Sequence, residues 1–169
     1  RARLGLFLAF QHPSTLPGVT LEEFLWTAAT SSAPAISRED FTARCAAAFK
    51  LLKLPPSFLT RMINDGWSGG EKKKGEMVQL LVLRPKLAIL DETDSGLDVD
   101  ALRLVAKAIA LAAKEYRVGI LVITHYQRLL DFLQPQTVTV LSAGRVAAQG
   151  GKAIMAKVAR QGYAWLPTA

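Results

Sequence analysis

Three short apolar runs along the chain are typical of buried strands. They are Leu4–Phe10, Leu87–Leu90 and Gly119–Ile123, and none of them contains a polar side chain. Uninterrupted apolar strands are typical of parallel sheets that are covered on both faces. A helical pattern at residues 102–112 separates the second run from the third. The pattern therefore predicts a βαβ unit within an α/β fold.

Helical periodicity dominates the segment between the first two runs. Thr20 and Glu23 have the spacing of a capping box, which predicts a short helix. Ser37 is expected to open a second helix, and the Ser-, Ala- and Pro-rich residues 30–36 before it are expected to form a loop. The apolar stripe of the second helix comprises Phe41, Cys45, Phe49 and Leu52. The predicted helical elements are residues 20–29, 37–54 and 57–63, and a helix that follows Ser68 and ends at Arg84.

The last part of the chain changes pattern again. Residues 137–141 and 146–149 alternate between apolar and polar side chains around a turn at 142–144, which predicts a hairpin. A helix at 127–133 is expected before the hairpin, and a helix at 153–160 after it.

Composition and charge narrow the class of protein. The chain has 169 residues, half of them hydrophobic, which suits one compact core and excludes a disordered tail. The formal charge of +7 is dispersed, and the longest basic run, Lys72–Lys74, is expected to be a solvated helix face, not a nucleic-acid patch. The single Cys45 excludes an intramolecular disulfide, favours a reducing compartment and is expected to lie in the core. No apolar stretch is long enough to span a bilayer.

Polar residues follow two of the predicted strands. Asp91 and Glu92 end the second strand, and His125 comes soon after the third. Ligands of open parallel sheets bind beyond the carboxyl ends of the strands, so these residues are placed to hold Mg²⁺ against phosphates or to polarise a water. The alternatives are an ordinary loop for the two acids and a structural hydrogen bond for the histidine.

The start of the helix after residue 67 is a third candidate. Ser68, Gly69 and Gly70 place flexible backbone and the N–H groups of a helix N-terminus where an anion can bind. The alternative is an ordinary serine N-cap after a glycine-rich turn.

The order and spacing of these residues resemble the nucleotide-binding domain of ABC-type ATPases. Five motifs appear in one chain, namely a Q-loop at Gln11, a signature at Ser68-Gly69-Gly70-Glu71, a Walker B at Asp91-Glu92, a D-loop at Ser95-Gly96-Leu97-Asp98, and an H-loop at Thr124-His125. The run LAILDETDSGLD at 87–98, the residues 123–130 and the C-terminal Gly162-Tyr163-Ala164-Trp165 are similar to the SufC ATPases of iron–sulfur cluster assembly. This likeness runs from Arg1 to about Leu166.

The resemblance implies a fold and a division of the chain. It implies a RecA-like parallel sheet core with an inserted helical subdomain, in one ABC-ATPase domain over residues 1–169. Residues 1–19 would hold the Q-loop strand and loop, 20–84 the helical subdomain and signature helix, and 85–169 the α/β core.

The resemblance also implies roles, with ATP and Mg²⁺ as cofactors. Glu92 would be the general base, His125 would contact the γ-phosphate, and Asp91 and Gln11 would serve the Mg²⁺. The residues implied to act across a head-to-tail homodimer are Ser68, Gly69, Gly70 and Glu71 on the partner's ATP, and Ser95, Gly96, Leu97 and Asp98 at the interface. Implied partners are SufB- and SufD-like scaffold proteins, with no nucleic acid and no membrane insertion, in a bacterial cytoplasm or a plastid stroma.

One motif of the family does not occur in the sequence. No G-x-x-x-x-G-K-[ST] phosphate cradle is present, and Gly151-Lys152 is expected to be a loop-to-helix junction. In the family the cradle precedes the Q-loop strand, so an N-terminally truncated fragment is expected, with exposed apolar sheet faces and negligible ATP hydrolysis alone. Trp67, before the signature, is expected to pack, and Lys74 replaces a usual Arg.

Two other functions stay open from the sequence. The same motifs suit the nucleotide-binding domain of a membrane transporter. A non-catalytic module could instead dock on partners through residues 12–66.

Overall fold

The computed structural model describes residues 1–31 and 36–166. It forms two compact units, one over Arg1–His125 and one from Tyr126 onward. The strands and helices, in chain order, are β1 (Leu6–Ala9), α1 (Leu21–Thr30), α2 (Arg38–Leu52), α3 (Gly69–Leu83), β2 (Leu87–Asp91), α4 (Val99–Lys114), β3 (Gly119–Ile123), α5 (Gln127–Leu133), β4 (Val138–Ser142), β5 (Arg145–Gly150) and α6 (Lys152–Gln161). Short 3₁₀ turns lie at Ala2–Leu4 and Pro56–Thr60.

The first unit is built on a parallel sheet in the order β1-β2-β3. Leu8, Ile89 and Leu121 occupy one register row across it. The connection from β2 through α4 to β3 is the predicted βαβ unit. An α/β fold with a parallel sheet is therefore confirmed, and β2 is its central strand.

Within the first unit, one face of this sheet is buried and the other is partly exposed, which corrects the prediction of strands buried on both faces. Ala9, Ala88 and Leu90 are fully buried. Leu87 and Leu121 of the opposite face are 42% and 51% exposed. Helix α4 contacts β3, and Ile123, on the same face as Leu121, is 48% exposed. The exposed apolar sheet face expected from the sequence is present.

Local signals for the helix starts are confirmed in atomic detail. The Thr20 hydroxyl accepts from the Glu23 N–H at 3.2 Å, and the Glu23 carboxylate accepts from the Thr20 N–H at 2.9 Å, which completes the capping box. The Ser37 hydroxyl caps α2. The predicted apolar stripe of α2 is buried, namely Phe41, Cys45, Phe49 and Leu52. Most of the predicted loop over residues 30–36 lies outside the described residues; Thr30 itself ends α1.

Trp67, just before α3, packs as expected. Its side chain is buried and its ring lies 4.2 Å from the ring of Phe58. Gly75, two turns into α3, leaves the space that the indole fills. The start of α3 is thereby packed against the 3₁₀ turn before it.

The second unit is an antiparallel hairpin with two helices. β4 pairs with β5, with a register shift at Val140–Leu141, and Gly144 has the positive φ of +74° that its tight turn requires. Gly151 precedes the first residue of α6, which confirms the loop-to-helix junction. The Trp165 indole donates to the Gly162 carbonyl at 2.9 Å. Among the described residues, no helix is long and apolar enough to cross a bilayer.

Candidate active site

Three polar side chains meet at the carboxyl edge of the parallel sheet. They follow the three strands, with Gln11 after β1, Glu92 after β2 and His125 after β3. Gln11 Nε2 donates to Glu92 Oε2 at 2.6 Å, and His125 Nδ1 lies 3.3 Å from Glu92 Oε1. The two carboxylate oxygens of Glu92 are thus held by two different neighbours, and the three residues form one cluster at the position where ligands of parallel sheets bind.

The backbone of Glu92 adopts an uncommon conformation. Its φ is +46°, in the left-handed region that residues other than glycine rarely occupy. Its N–H donates to the Ile123 carbonyl at 2.9 Å, and its carbonyl accepts from the Ser95 N–H at 3.2 Å. Strained backbone that is held by such bonds is concentrated at functional sites. With this conformation the chain leaves the sheet at Glu92, the residue whose carboxylate lies in the cluster.

A part-buried hydrogen bond ties the residue before the D-loop to the residue before His125. Thr124 Oγ1 donates to Asp94 Oδ2 at 2.5 Å. Asp94 is buried, and its burial raises the pKa of its carboxyl against the opposing effect of the Thr124 hydroxyl. This bond fixes where the chain turns after β3, and no pattern in the sequence predicts it.

The signature residues form the N-terminus of α3. Ser68 accepts from the Glu71 N–H at 3.2 Å, and Glu71 Oε2 accepts from the Ser68 N–H at 2.8 Å, so the pair is a capping box. Arg61 donates to the other oxygen of Glu71 at 2.9 Å. The backbone bond to Ser68 and then the Arg61 bond lower the pKa of Glu71. Ser68 and Gly69 are exposed, so this helix start is open to an anion from outside the chain.

The D-loop residues lie beside the signature. Asp98 Oδ1 accepts from the Ala101 N–H at 2.7 Å and so caps α4. A Cβ built on Gly70 would lie 3.9 Å from a methyl carbon of Leu97, which places the two loops next to each other within one chain. Gly96 is exposed, with a φ of +72°. Ser95 completes the turn from Glu92.

Lys73 contradicts the prediction of a solvated basic face. It is 5% exposed, whereas Lys72 and Lys74 are half-buried. Its Nζ donates to the carbonyls of Phe10 and Gln11 at 3.0 and 2.9 Å and lies 3.6 Å from Glu76 Oε2. The sequence did hold a signal, because a Lys and a Glu three residues apart share the buried side of α3 with the apolar stripe.

The donors at the sheet edge fit a magnesium ion that is shared with phosphates. Mg²⁺ prefers oxygen ligands and is usually held by one or two protein groups, waters and substrate phosphates. Asp91 ends β2 in register with Ile123, and Gln11 offers an amide oxygen beside the same edge. Within residues 1–31 and 36–166, no group of three His, Cys, Asp or Glu side chains is arranged to hold a metal by itself.

Comparisons with known proteins give consistent relatives. A probable ABC transporter ATP-binding protein of Streptococcus pyogenes is 44% identical over 168 residues, which are 97% of this chain and 65% of that protein. The probable ATP-dependent transporter ycf16 of Guillardia theta is 44% identical, and SufC of Escherichia coli, also named a probable ATP-dependent transporter, is 42% identical. Each match covers 98% of this chain, and it covers 67% of the first relative and 68% of the second. No family model matches the chain.

Solved structures agree on the fold. The structure of an ATP-binding subunit of an ABC transporter has a TM-score of 0.75 at 26% identity and covers 95% of this chain and 65% of that one. A dimeric bacterial ABC transporter cassette has a TM-score of 0.72 at 20% identity and covers 88% of this chain and 63% of the cassette, which supports the fold alone. The strand-end cluster and these relatives together show that the chain belongs to the family of ABC-type ATPases, with SufC among its relatives.

Proposed function

We propose that the protein is a SufC-like ATPase subunit that hydrolyses ATP and uses the cycle to drive iron–sulfur cluster assembly on a SufB–SufD scaffold. The observation that carries the proposal is the Glu92 carboxylate, held between Gln11 and His125 at the carboxyl edge of the sheet. A SufC relative at 42% identity supports this choice of branch.

In the proposed mechanism, the chain positions groups and does no covalent chemistry. Glu92 orients and polarises the attacking water and takes up its proton. His125, which lies beside the Glu92 carboxylate, donates a hydrogen bond to a γ-phosphate oxygen. Asp91 and Gln11 would hold Mg²⁺, which neutralises charge on the phosphates when it is bound. Their contribution is positioning and electrostatic stabilisation, as phosphoryl transfer requires.

The signature and D-loop are proposed to act on a second subunit. Ser68, Gly69 and Gly70 lie at an exposed helix N-terminus, whose partial positive charge suits the γ-phosphate of ATP held by the partner. Glu71 fixes that start through its capping box, and the exposed Asp98 lies on the adjoining loop. The active form is therefore an ATP-dependent homodimer.

The phosphate cradle is not among these 169 residues. We therefore propose that the 169-residue chain alone turns over negligible ATP, since Glu92 and His125 act on phosphates that other residues must hold. The compartment that we propose is a bacterial cytoplasm or a plastid stroma, and the single buried Cys45 is in keeping with either.

Glu92→Gln tests the catalytic assignment in the protein as its gene encodes it. The amide keeps the size of the side chain but cannot take up a proton. We expect hydrolysis to be lost while ATP still binds, so Mg-ATP shifts the variant to twice its mass in size-exclusion chromatography with light scattering. The matched control is Glu115→Gln, which changes an exposed glutamate at the end of α4 and should behave as wild type. Hydrolysis by Glu92→Gln at the wild-type rate would overturn the proposal.

The nucleotide-binding domain of a transporter is the second candidate. The streptococcal relatives carry the name of probable ABC transporter ATP-binding proteins. The five motifs of the resemblance do not distinguish the two functions. Affinity purification from the native cell separates the two. Recovery of soluble scaffold subunits supports the first, and recovery of membrane permeases without a scaffold supports the second.

A further inference from the structure

We propose that Lys73 and Glu76 are positioning residues that hold the backbone around Gln11, so that its side chain reaches Glu92. This inference rests on the proposed function, because it concerns how the catalytic carboxylate acquires its neighbour. It assigns a role to two charged residues that belong to none of the five motifs.

Lys73 and Glu76 both form hydrogen bonds with the backbone of Phe10 and Gln11. Lys73 Nζ donates to the carbonyls of Phe10 and Gln11 at 3.0 and 2.9 Å, and Glu76 Oε1 accepts from the Phe10 N–H at 2.9 Å. Three hydrogen bonds thus fix three successive peptide groups where β1 ends, from the N–H of Phe10 to the carbonyl of Gln11. The Gln11 side chain then reaches Glu92, with its Nε2 2.6 Å from the carboxylate Oε2.

The burial of this pair argues for a specific role. The side chains of Lys73 and Glu76 are 6% and 5% exposed, and their charged atoms lie 3.6 Å apart. Taking two charges out of water costs as much as the pair returns, so apolar residues of the same size would serve a helix core at least as well. Met77 and Leu80 beside them are such residues. What the charged pair adds is directional hydrogen bonds to the backbone of the Q-loop.

The same helix carries the signature at its start. Ser68 caps α3, and Lys73 follows five residues later, about 7.5 Å along the helix axis at ~1.5 Å per residue. A rotation or shift of α3 that accompanies binding at the signature would therefore move Gln11 relative to Glu92. The pair connects the part of the chain that faces a partner's nucleotide with the part that faces its own.

A nuclear magnetic resonance experiment on the full chain tests the contact without ATP. The side-chain amide of Gln11 is assigned from its disappearance in Gln11→Glu, and Glu92→Ala defines its position when the carboxylate is absent. We expect Lys73→Met to move this resonance toward the Glu92→Ala position. Lys74→Met, a change on the same helix, should leave it in place, and Lys73→Arg, which keeps donors and charge, should restore it.

Glu76 provides an independent pair of variants. Glu76→Gln keeps an acceptor for the Phe10 N–H and should leave the Gln11 resonance near its wild-type position, whereas Glu76→Leu removes the acceptor and should move it. These variants decide the matter even if Lys73→Met does not fold. An unchanged Gln11 resonance in the folded Lys73→Met or Glu76→Leu variant would overturn the proposal.

Steady-state kinetics of the gene-encoded protein separate positioning from packing. We expect Lys73→Met to lower kcat about 10- to 100-fold with little change in KM, as a displacement of about 1 Å at a catalytic group does. Lys73→Arg should recover most of kcat. A shifted resonance with an unchanged kcat would overturn the positioning role, while a wild-type protein that hydrolyses no ATP would overturn the proposed function and leave the resonance test intact.

Discussion

Gly75→Ala is a sensitive test of how α3 is packed. Alanine is the better helix former, and in an open helix the change stabilises by about 1 kcal/mol. Here a Cβ at position 75 would lie closer than 3 Å to Cζ3 of Trp67 and 3.3 Å from two further indole carbons. Sequence propensity and tertiary packing therefore predict opposite signs for the same substitution.

The packing term is expected to win. Trp67 is 5% exposed, its ring lies 4.2 Å from that of Phe58, and the Arg61 guanidinium lies over it at 5.6 Å. A rigid ring so enclosed cannot move without displacing its neighbours, so the overpacking cost lies near the upper end of the usual range of about 1–3 kcal/mol. After the gain in helix propensity of about 1 kcal/mol, the net loss of stability is about 2 kcal/mol.

Chemical denaturation followed by tryptophan fluorescence measures this loss. In thermal unfolding of a chain of this size, a loss of about 2 kcal/mol corresponds to a fall in Tm of roughly 4–8 °C. Gly69→Ala is the control on the same helix, because its added Cβ meets no atom within 4 Å and should cost little. In a Trp67→Leu background the same Gly75→Ala change should cost little, because the ring that it overpacks is gone. A Gly75→Ala protein as stable as wild type, or more stable, would refute the packing argument.

Two further predictions concern buried carboxyls. Burial raises the pKa of Glu76 from 4.5 to about 7 against the attraction of Lys73, so the folded state binds this proton more tightly than the unfolded state does. The contribution of Glu76 to stability therefore falls by about 3 kcal/mol as the pH rises from about 4.5 to 7, and Glu76→Gln should flatten that part of a curve of stability against pH. Thr124→Val should cost about 1–3 kcal/mol in denaturant titrations because Asp94 loses its donor, whereas Thr124→Ser should cost less; equal losses for the two would contradict this role of the hydroxyl.

The order of strands and helices could be predicted from the sequence to within a few residues. β3 and α5 have the bounds that the sequence predicts, and the capping box at Thr20 lies where its spacing predicts it. Ser68 is the helix N-cap that the sequence offered as one alternative, and the capping box with Glu71 was not predicted. These features depend on residues within a few positions of one another. The division into one domain stays a prediction beside the two compact units that the structure forms.

The residues of the candidate site could be predicted from the sequence, but the hydrogen bonds between them could not. Polar residues at strand ends indicated that Glu92 and His125 share an edge, and the family resemblance added Gln11. Gln11 and Glu92 are 81 positions apart, so the hydrogen bond between them depends on the parallel pairing of β1 with β2. The bond from Thr124 to Asp94 likewise spans 30 positions and joins the ends of two strands.

The elements, the caps at Thr20 and Ser37 and the family could be predicted from the sequence, because periodicity, capping and motif spacing are local properties of the chain. Which charges are buried, and which face of the sheet is exposed, depends on contacts between distant parts of the chain. Lys73 differs from Lys74 by one position, yet it is buried because it faces the end of β1, some 60 residues away in the chain. Burial is set by what packs against a residue, and that is a property of the folded chain as a whole.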